Sequence, residues 1–284
     1  GLYRGQDESR LTTLREELPH VEWIRGDVTD PMSMQAVVSE VQPGQVFNLA
    51  AASFVGLSWQ MPQVHMEANY GGVLNLLEAV RRHAPEAHVV QASTSEMYGN
   101  CGRQRLTEDS PMRPASPYGV SKLAAHELCR VYRESYGMRV SCAISFNHES
   151  PKRPPIFVTR KVTQAAARGE KVELGPLDVY RDWGFAGDYV KAYILMAEAD
   201  EPDDYVVGTG EAHSVGELVA TAFNIAGIPD WGRYVHADMY HRPNEVEYLC
   251  ADPSKIERLG WRAETSFEEL IAMMVDADRE RVLV

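Results

Sequence analysis

The residues His88-Val-Val-Gln-Ala92 form a short apolar run without regular polar alternation, the pattern of a strand buried on both faces of a parallel sheet. Parallel strands need crossover connections, usually helical, so this run commits the chain to helices packed on a central sheet. The flanking sequence agrees. Helical spacing runs from Arg10 to Leu18, Asp30-Pro31 opens a helix to Val41, and helical spacing returns from Ala68 to His83 and from Ser116 to Tyr136. Strand patterns fall between them at His20–Arg25, Gln45–Leu49 and Arg139–Phe146. The alternation predicts a doubly wound parallel α/β sheet.

Just past the carboxyl end of the 88–92 strand stand Ser93, Thr94, Ser95 and Glu96, where open α/β sheets bind their ligands. The segment Ser116-Pro-Tyr-Gly-Val-Ser-Lys122 opens a helix, with serine as N-cap and proline at the first helical position. Tyr118 and Lys122 are four apart and share one face, so the ammonium is expected to favour the phenolate. Taken singly, these residues have ordinary explanations. Tyr-x-x-x-Lys pairs occur on many helices, hydroxyls at strand ends close turns, and Glu96 can be a solvated loop carboxylate. Together, at adjacent strand ends, hydroxyl, carboxylate and tyrosine–lysine pair form a set suited to redox chemistry with proton transfer. The turn Ala50-Ala-Ala-Ser53 after the preceding strand lacks bulk and lets backbone approach a ligand.

Charge and cysteine content narrow the partners. Lys and Arg number 28 against 41 Asp and Glu, and the net charge of −13 argues against nucleic acid or an anionic membrane surface. Four cysteines without C-x-x-C spacing read as reduced thiols of a cytoplasmic protein, with no metal site expected. No apolar run is of membrane-spanning length, and no signal peptide is expected. Beyond Asn147 the alternation weakens at a proline-broken loop, and helices follow at Ile156–Arg168, from Ser214 to Ala226 and after Ser266. The expected organisation is a cofactor domain from residues 1–146 and about 171–208, with a smaller, mostly helical lobe from 147–170 and about 209–284.

The chain resembles the extended short-chain dehydrogenase/reductases, and within them the GDP-mannose 4,6-dehydratases, over nearly its whole length. The resemblance is carried by the two segments above and by Phe146-Asn-His-Glu-Ser-Pro151, Val158-Thr-Arg-Lys161, Arg181-Asp-Trp-Gly184, Gly208-Thr-Gly-Glu211 and Arg242-Pro-Asn-Glu245. It implies a Rossmann-type sheet with a substrate lobe, a homodimer or homotetramer, and conversion of GDP-mannose or a related nucleotide sugar to the 4-keto-6-deoxy product. Thr94, Ser95, Glu96, Tyr118 and Lys122 then carry the chemistry. The cofactor is expected to meet Asp27 and Val28 at the adenine, Leu49, Ala50, Ala51 and Ser53 at the ribose and diphosphate, and His148 and Arg153 near the nicotinamide. Arg4, just past a strand, points to the 2′-phosphate of NADP. Asn147, Lys161, Arg181, Arg242 and Glu245 match positions near the substrate's diphosphate and guanine. A related keto-sugar reductase or epimerase, or a non-catalytic relative, is the alternative.

Two features depart from the family pattern. Ala52-Ser-Phe54, and the surroundings of Pro176 and Tyr180, lack residues that members often carry. No Gly-x-x-Gly-x-x-Gly turn occurs in the sequence, and such a turn normally cradles the cofactor pyrophosphate at a helix N-terminus. About thirty further residues are therefore expected ahead of Gly1, with residues 1–284 alone expected to be insoluble or unable to bind NADP.

Overall fold

Four parallel strands, in the order Asp204–Val207, Val140–Ser145, His88–Ala92 and Gln45–Asn48, form the central sheet in the computed structural model, which describes residues 1–4, 8–240 and 243–282. The two inner strands are almost wholly buried, as their unbroken apolar sequence requires. Their register sets Ala92 beside Ala143, so the segments that follow diverge at the same end of the sheet. Leu2–Tyr3 pairs in parallel with Ile24–Arg25, and among the described residues this pair is not hydrogen-bonded to the central four strands. The expected single sheet is thus divided, and Phe47 and Leu49 beside the outer strand remain exposed.

Helices cover the sheet because their apolar stripes match it. Leu76, Leu77 and Val80 of the helix Gly72–His83 pack with Met34 and Val38 of Pro31–Val41 and with Val89 and Val140 of the sheet. Each such side chain, fully buried, contributes about 1.5–3 kcal/mol. Asp30 caps the 31–41 helix by accepting from Met32 N at 2.9 Å. Ser116 caps the helix Pro117–Tyr136 by accepting from Gly119 N at 3.0 Å, and Gly137, at φ 65°, ends it in the left-handed region.

The helix expected from Ala68 opens differently: a π-helical turn spans Glu67–Gly71 between the helices Pro62–Met66 and Gly72–His83. Buried Asn69 lies in this wider turn, and its amide bonds Ala52 N at 2.8 Å, Ala52 O at 3.1 Å and Ser121 Oγ at 3.0 Å. Such turns commonly mark functional sites.

The second lobe gathers the helices Val158–Arg168, Val215–Ile225 and Phe267–Val282 around Val162, Leu218, Phe223, Leu270 and Met274. A buried ion pair, Arg160 Nη2 to Asp278 Oδ1 at 2.6 Å, crosses between the first and last of these. Val172, Leu174, Val179 and Trp183 share the same apolar cluster, and Tyr180–Arg181 pairs with Tyr248–Leu249. The chain therefore rejoins the sheet at the helix Ala186–Glu198, not near residue 171. Buried Asp182 ties the two regions. It accepts from Thr209 N (2.9 Å), Thr209 Oγ1 (2.8 Å), Gly210 N (2.9 Å) and Ala251 N (3.1 Å). Among the described residues no helix is long and apolar enough to cross a membrane. The four cysteines are unpaired thiols.

Candidate active site

The strand His88–Ala92 ends at buried Ser93 and Thr94, and Thr94 starts a 3-10 turn, Ser95–Met97, by accepting from Glu96 N at 3.3 Å. The helix Pro117–Tyr136 lies against this turn. A Cβ at Gly119 would come within 2.8 Å of the Glu96 carbonyl oxygen, so glycine permits the approach. That contact sets Tyr118 on the cleft beside Thr94. One turn further along, Lys122 Nζ donates to Ala92 O at 2.5 Å, and the same carbonyl accepts from Gln91 Nε2 at 2.8 Å.

The electrostatics differ from the sequence expectation. Burial pushes Tyr118 up to about 12, against the opposing Thr94 hydrogen bond, and the charge of Glu96 adds to the rise. Burial also pushes Lys122 down to about 8. Both groups are thus driven toward their neutral forms, because desolvation here outweighs the attraction that i, i+4 spacing suggested. The ammonium is directed to the Ala92 carbonyl instead.

These residues open into a cleft of about 970 Å³ between sheet and lobe, within the usual range for a ligand site. Leu49, Ala51, Ser53, Thr94, Ser95, Glu96, Tyr118 and Lys122 line its sheet side, and Asn147, His148, Arg153, Lys161, Arg181 and Glu245 its lobe side. Ala50 lies outside the lining, with its N–H donating to Asn48 Oδ1 at 3.3 Å. Arg4, Asp27 and Val28 also lie off the cleft. Arg4 Nε is 2.7 Å from Asp27 Oδ2, and Val28 O accepts from Asn75 Nδ2 at 2.9 Å. Arg242 lies outside the described residues.

On the lobe side, buried Arg181 sets Nη2 4.0 Å from Glu96 Oε1 and 3.4 Å from Glu245 Oε1. His148 Nδ1 donates to Phe146 O at 2.9 Å, and burial lowers its affinity for a second proton, so a neutral imidazole faces the cleft. Arg153 Nε lies 3.0 Å from Glu149 Oε2, and its guanidinium covers the Phe157 ring at 3.5 Å. Lys161 Nζ stands 5.2 Å from the Tyr240 ring centroid.

Sequence reasoning assigns no role to Glu149 or Asn69. Glu149 is buried, and desolvation raises it while Arg153 and Thr159 oppose the shift. Its place within Phe146-Asn-His-Glu-Ser-Pro151 is the available signal; Asn69 gives none, because its bonds go to residues distant in sequence. The donor set fits a nicotinamide dinucleotide. A smooth alanine turn held by Asn69, a phenol and an ammonium at the strand end, and a neutral imidazole opposite suit a flat ring and its ribose.

Comparison with known proteins agrees with this geometry. A family model described as GDP-mannose 4,6 dehydratase matches residues 4–274. The chain is 44% identical over 274 residues to GDP-mannose 4,6 dehydratase 2 of Arabidopsis thaliana, covering 91% of this chain and 73% of that protein. It is 38% identical over 280 residues to the Homo sapiens GDP-mannose 4,6 dehydratase, covering 90% and 75%. Among solved structures, Streptomyces venezuelae DesIV, a dTDP-glucose 4,6-dehydratase with NAD and TYD bound, superposes with a TM-score of 0.89 at 26% identity, covering 98% of this chain and 86% of that one. The Thermus thermophilus UDP-glucose 4-epimerase in complex with NAD gives 0.86 at 31% identity, covering 93% and 87%. With the match extending across both sheet and lobe, the chain belongs to the GDP-mannose 4,6-dehydratase family.

Proposed function

We propose that this protein converts GDP-mannose to GDP-4-keto-6-deoxymannose with NADP as cofactor. The observation that carries the proposal is the convergence of Thr94, Glu96, Tyr118 and Lys122 on one cleft. Tyr118 accepts the proton of the sugar C4 hydroxyl, and Thr94 hydrogen-bonds the C4 oxygen throughout. Lys122, held by Ala92 O, would supply a positive charge on the same helix face, and lowering Tyr118 from about 12 requires that charge together with the bound cofactor's. A bound nicotinamide, held by Tyr118, Lys122 and His148, would supply hydride acceptance at C4 and hydride return at C6, with C5 taking back a proton as the hydride is returned. Between these events Glu96 removes the C5 proton, acidified by the C4 ketone. Ser95 and Glu96 supply a proton as hydroxide leaves C6, so that one water departs.

Arg4 supports NADP, because its side chain is 58% exposed even while paired with Asp27 and is free to meet a 2′-phosphate. In this reading the adenine end extends past the cleft to Asp27 and Val28; Leu49, Ala51 and Ser53, with Ala50 behind them, take the ribose and diphosphate, and His148 and Arg153 the nicotinamide. Asn147, Lys161 and Arg181 hold the substrate diphosphate, with Arg242, while Glu245 accepts from the guanine edge. The protein works as a cytoplasmic homodimer or homotetramer.

An epimerase or reductase is the competing activity, and Glu96 beside Thr94 speaks for elimination because neither competitor removes water from C6. Incubation with GDP-mannose and NADP, followed by mass spectrometry, tests this. Loss of one water from the sugar supports dehydration; an isomer of unchanged mass excludes it.

A further inference from the structure

Behind Tyr118 and Lys122 runs a buried polar chain that the dehydration steps do not use. His126, one turn beyond Lys122 and 5% exposed, sets Nδ1 3.1 Å from Ser93 Oγ. Its Nε2 is 3.7 Å from Asp204 Oδ2, and Arg133 grips both Asp204 oxygens at 2.9 and 3.0 Å. Ser93 separates Ala92, whose carbonyl holds Lys122, from Thr94, which lines the cleft with Tyr118. We propose that His126 is a positioning residue, which ties Ser93 to the Asp204–Arg133 pair and so fixes the segment from Ala92 to Thr94 that aims Lys122 and Tyr118 into the cleft.

The alternative is a cation site, since His126, Cys142 and Asp204 each bring a ligand atom within 4.8 Å of the others. Arg133 already occupies both oxygens of Asp204. Hydrogen bonding to Cys129, followed by burial, pushes the Cys142 thiol well up and keeps it protonated. Burial opposes a charge on His126, the Asp204 and Glu127 carboxylates favour one, and the balance raises the ring's affinity for a proton. A cluster that holds protons in this way favours hydrogen bonding over metal ligation, which needs a thiolate and a free ring lone pair. His126 thus links Ser93 at Nδ1 to Asp204 at Nε2.

The proposal rests on the catalytic reading of Tyr118 and Lys122, so one readout dispenses with substrate. His126→Leu keeps comparable volume without hydrogen bonds, and His126→Asn retains a donor toward Ser93. Ser93→Ala removes the opposite end of the same bond and serves should His126→Leu fail to fold. Lys122 is faced by Ala92 O and the Cys129 and Cys142 thiols; Cys142 also meets His126, so Ser93→Ala, which leaves His126 in place, separates loss of positioning from a change at Cys142. Loosening the strand end admits water to Nζ. In substrate-free protein, followed by 13Cε-lysine NMR, the Lys122 midpoint should rise by about one pH unit in His126→Leu and Ser93→Ala but stay near wild type in His126→Asn. In turnover, kcat should fall about tenfold in the first two with KM within roughly twofold, and His126→Asn should restore most of it. An unmoved Lys122 midpoint, leucine and asparagine variants alike in kcat, or stoichiometric Zn2+ uptake abolished by His126→Leu would each overturn the proposal. A shifted midpoint in a protein inactive on GDP-mannose would instead sink the substrate reading and leave the positioning role intact.

Discussion

Lys122 Nζ donates to the carbonyl of Ala92 at 2.5 Å, so the ammonium anchors the strand end from which Ser93 and Thr94 follow. Its affinity for a proton, about 8 against an ordinary 10.5, makes this anchor sensitive to pH. Below pH 8 folded and unfolded chains both carry the proton, and the full cost of burying it is present. Between 8 and 10.5 only the unfolded chain binds it, so this group makes stability rise with pH across that window. Lys122→Met removes the effect. The stability of wild type minus that of Lys122→Met should climb by about 2 kcal/mol from about pH 7.5 to about 9.5 in urea unfolding. A flat or falling difference contradicts the buried-ammonium account.

Tyr118 and Glu96 should fail at different steps. Glu96→Gln keeps the shape and removes the base, so C4 oxidation should persist while water loss slows by roughly 10²–10⁴-fold, with reduced cofactor accumulating. Tyr118→Phe should abolish the first hydride transfer, with no absorbance change and no exchange of the C5 proton into deuterated solvent. If both variants lose both steps equally, the division of labour is wrong.

Asn69 holds the alanine turn to the helix Pro117–Tyr136 through Ala52 and Ser121. Asn69→Ala frees that turn without touching a cleft-lining side chain. Affinity for the nicotinamide cofactor, measured by calorimetry, should fall about tenfold, equivalent to about 1.4 kcal/mol. Unchanged affinity would show that the turn needs no such brace.

These three expectations differ in how far the sequence announces them. The Tyr118–Lys122 spacing, the Ser116-Pro117 helix start and the 88–92 strand are local patterns, set by neighbours along the chain. The structure keeps all three. The π turn at Glu67–Gly71 reads as plain helix in the sequence, and its buried Asn69 bonds residues 17 and 52 positions away, contacts that local spacing does not reveal. The direction of the Tyr118 shift escapes the sequence for a related reason: spacing along a helix reveals neighbours, whereas desolvation depends on everything packed above them. Residues 172–185 look like a return to the sheet, but their apolar side chains meet the lobe helices, a pairing that no local pattern encodes.

Asp182 offers a test of the tie between sheet and lobe. Its carboxylate receives four donors in a buried setting, three of them backbone N–H groups. Asp182→Ala should therefore reduce stability by about 3 kcal/mol or more, since an unsatisfied buried donor costs about 1–3 kcal/mol. Urea unfolding at neutral pH reads this directly, and a loss under about 1 kcal/mol would mean that water replaces the carboxylate at little cost.

The missing side chain at Gly119 carries one more implication. With helix backbone resting on the Glu96 carbonyl, the spacing between the backbones that carry Tyr118 and Glu96, to which the proposed cycle assigns successive steps, is set by atomic contact, not by a hinge. Timing between the two steps is thus built into a solid joint. Solvent viscosity, which slows loops and lids, should change how fast ligands enter and leave while sparing the ratio of oxidation to elimination. A single methyl at 119 should act as a shim, altering that ratio at any viscosity.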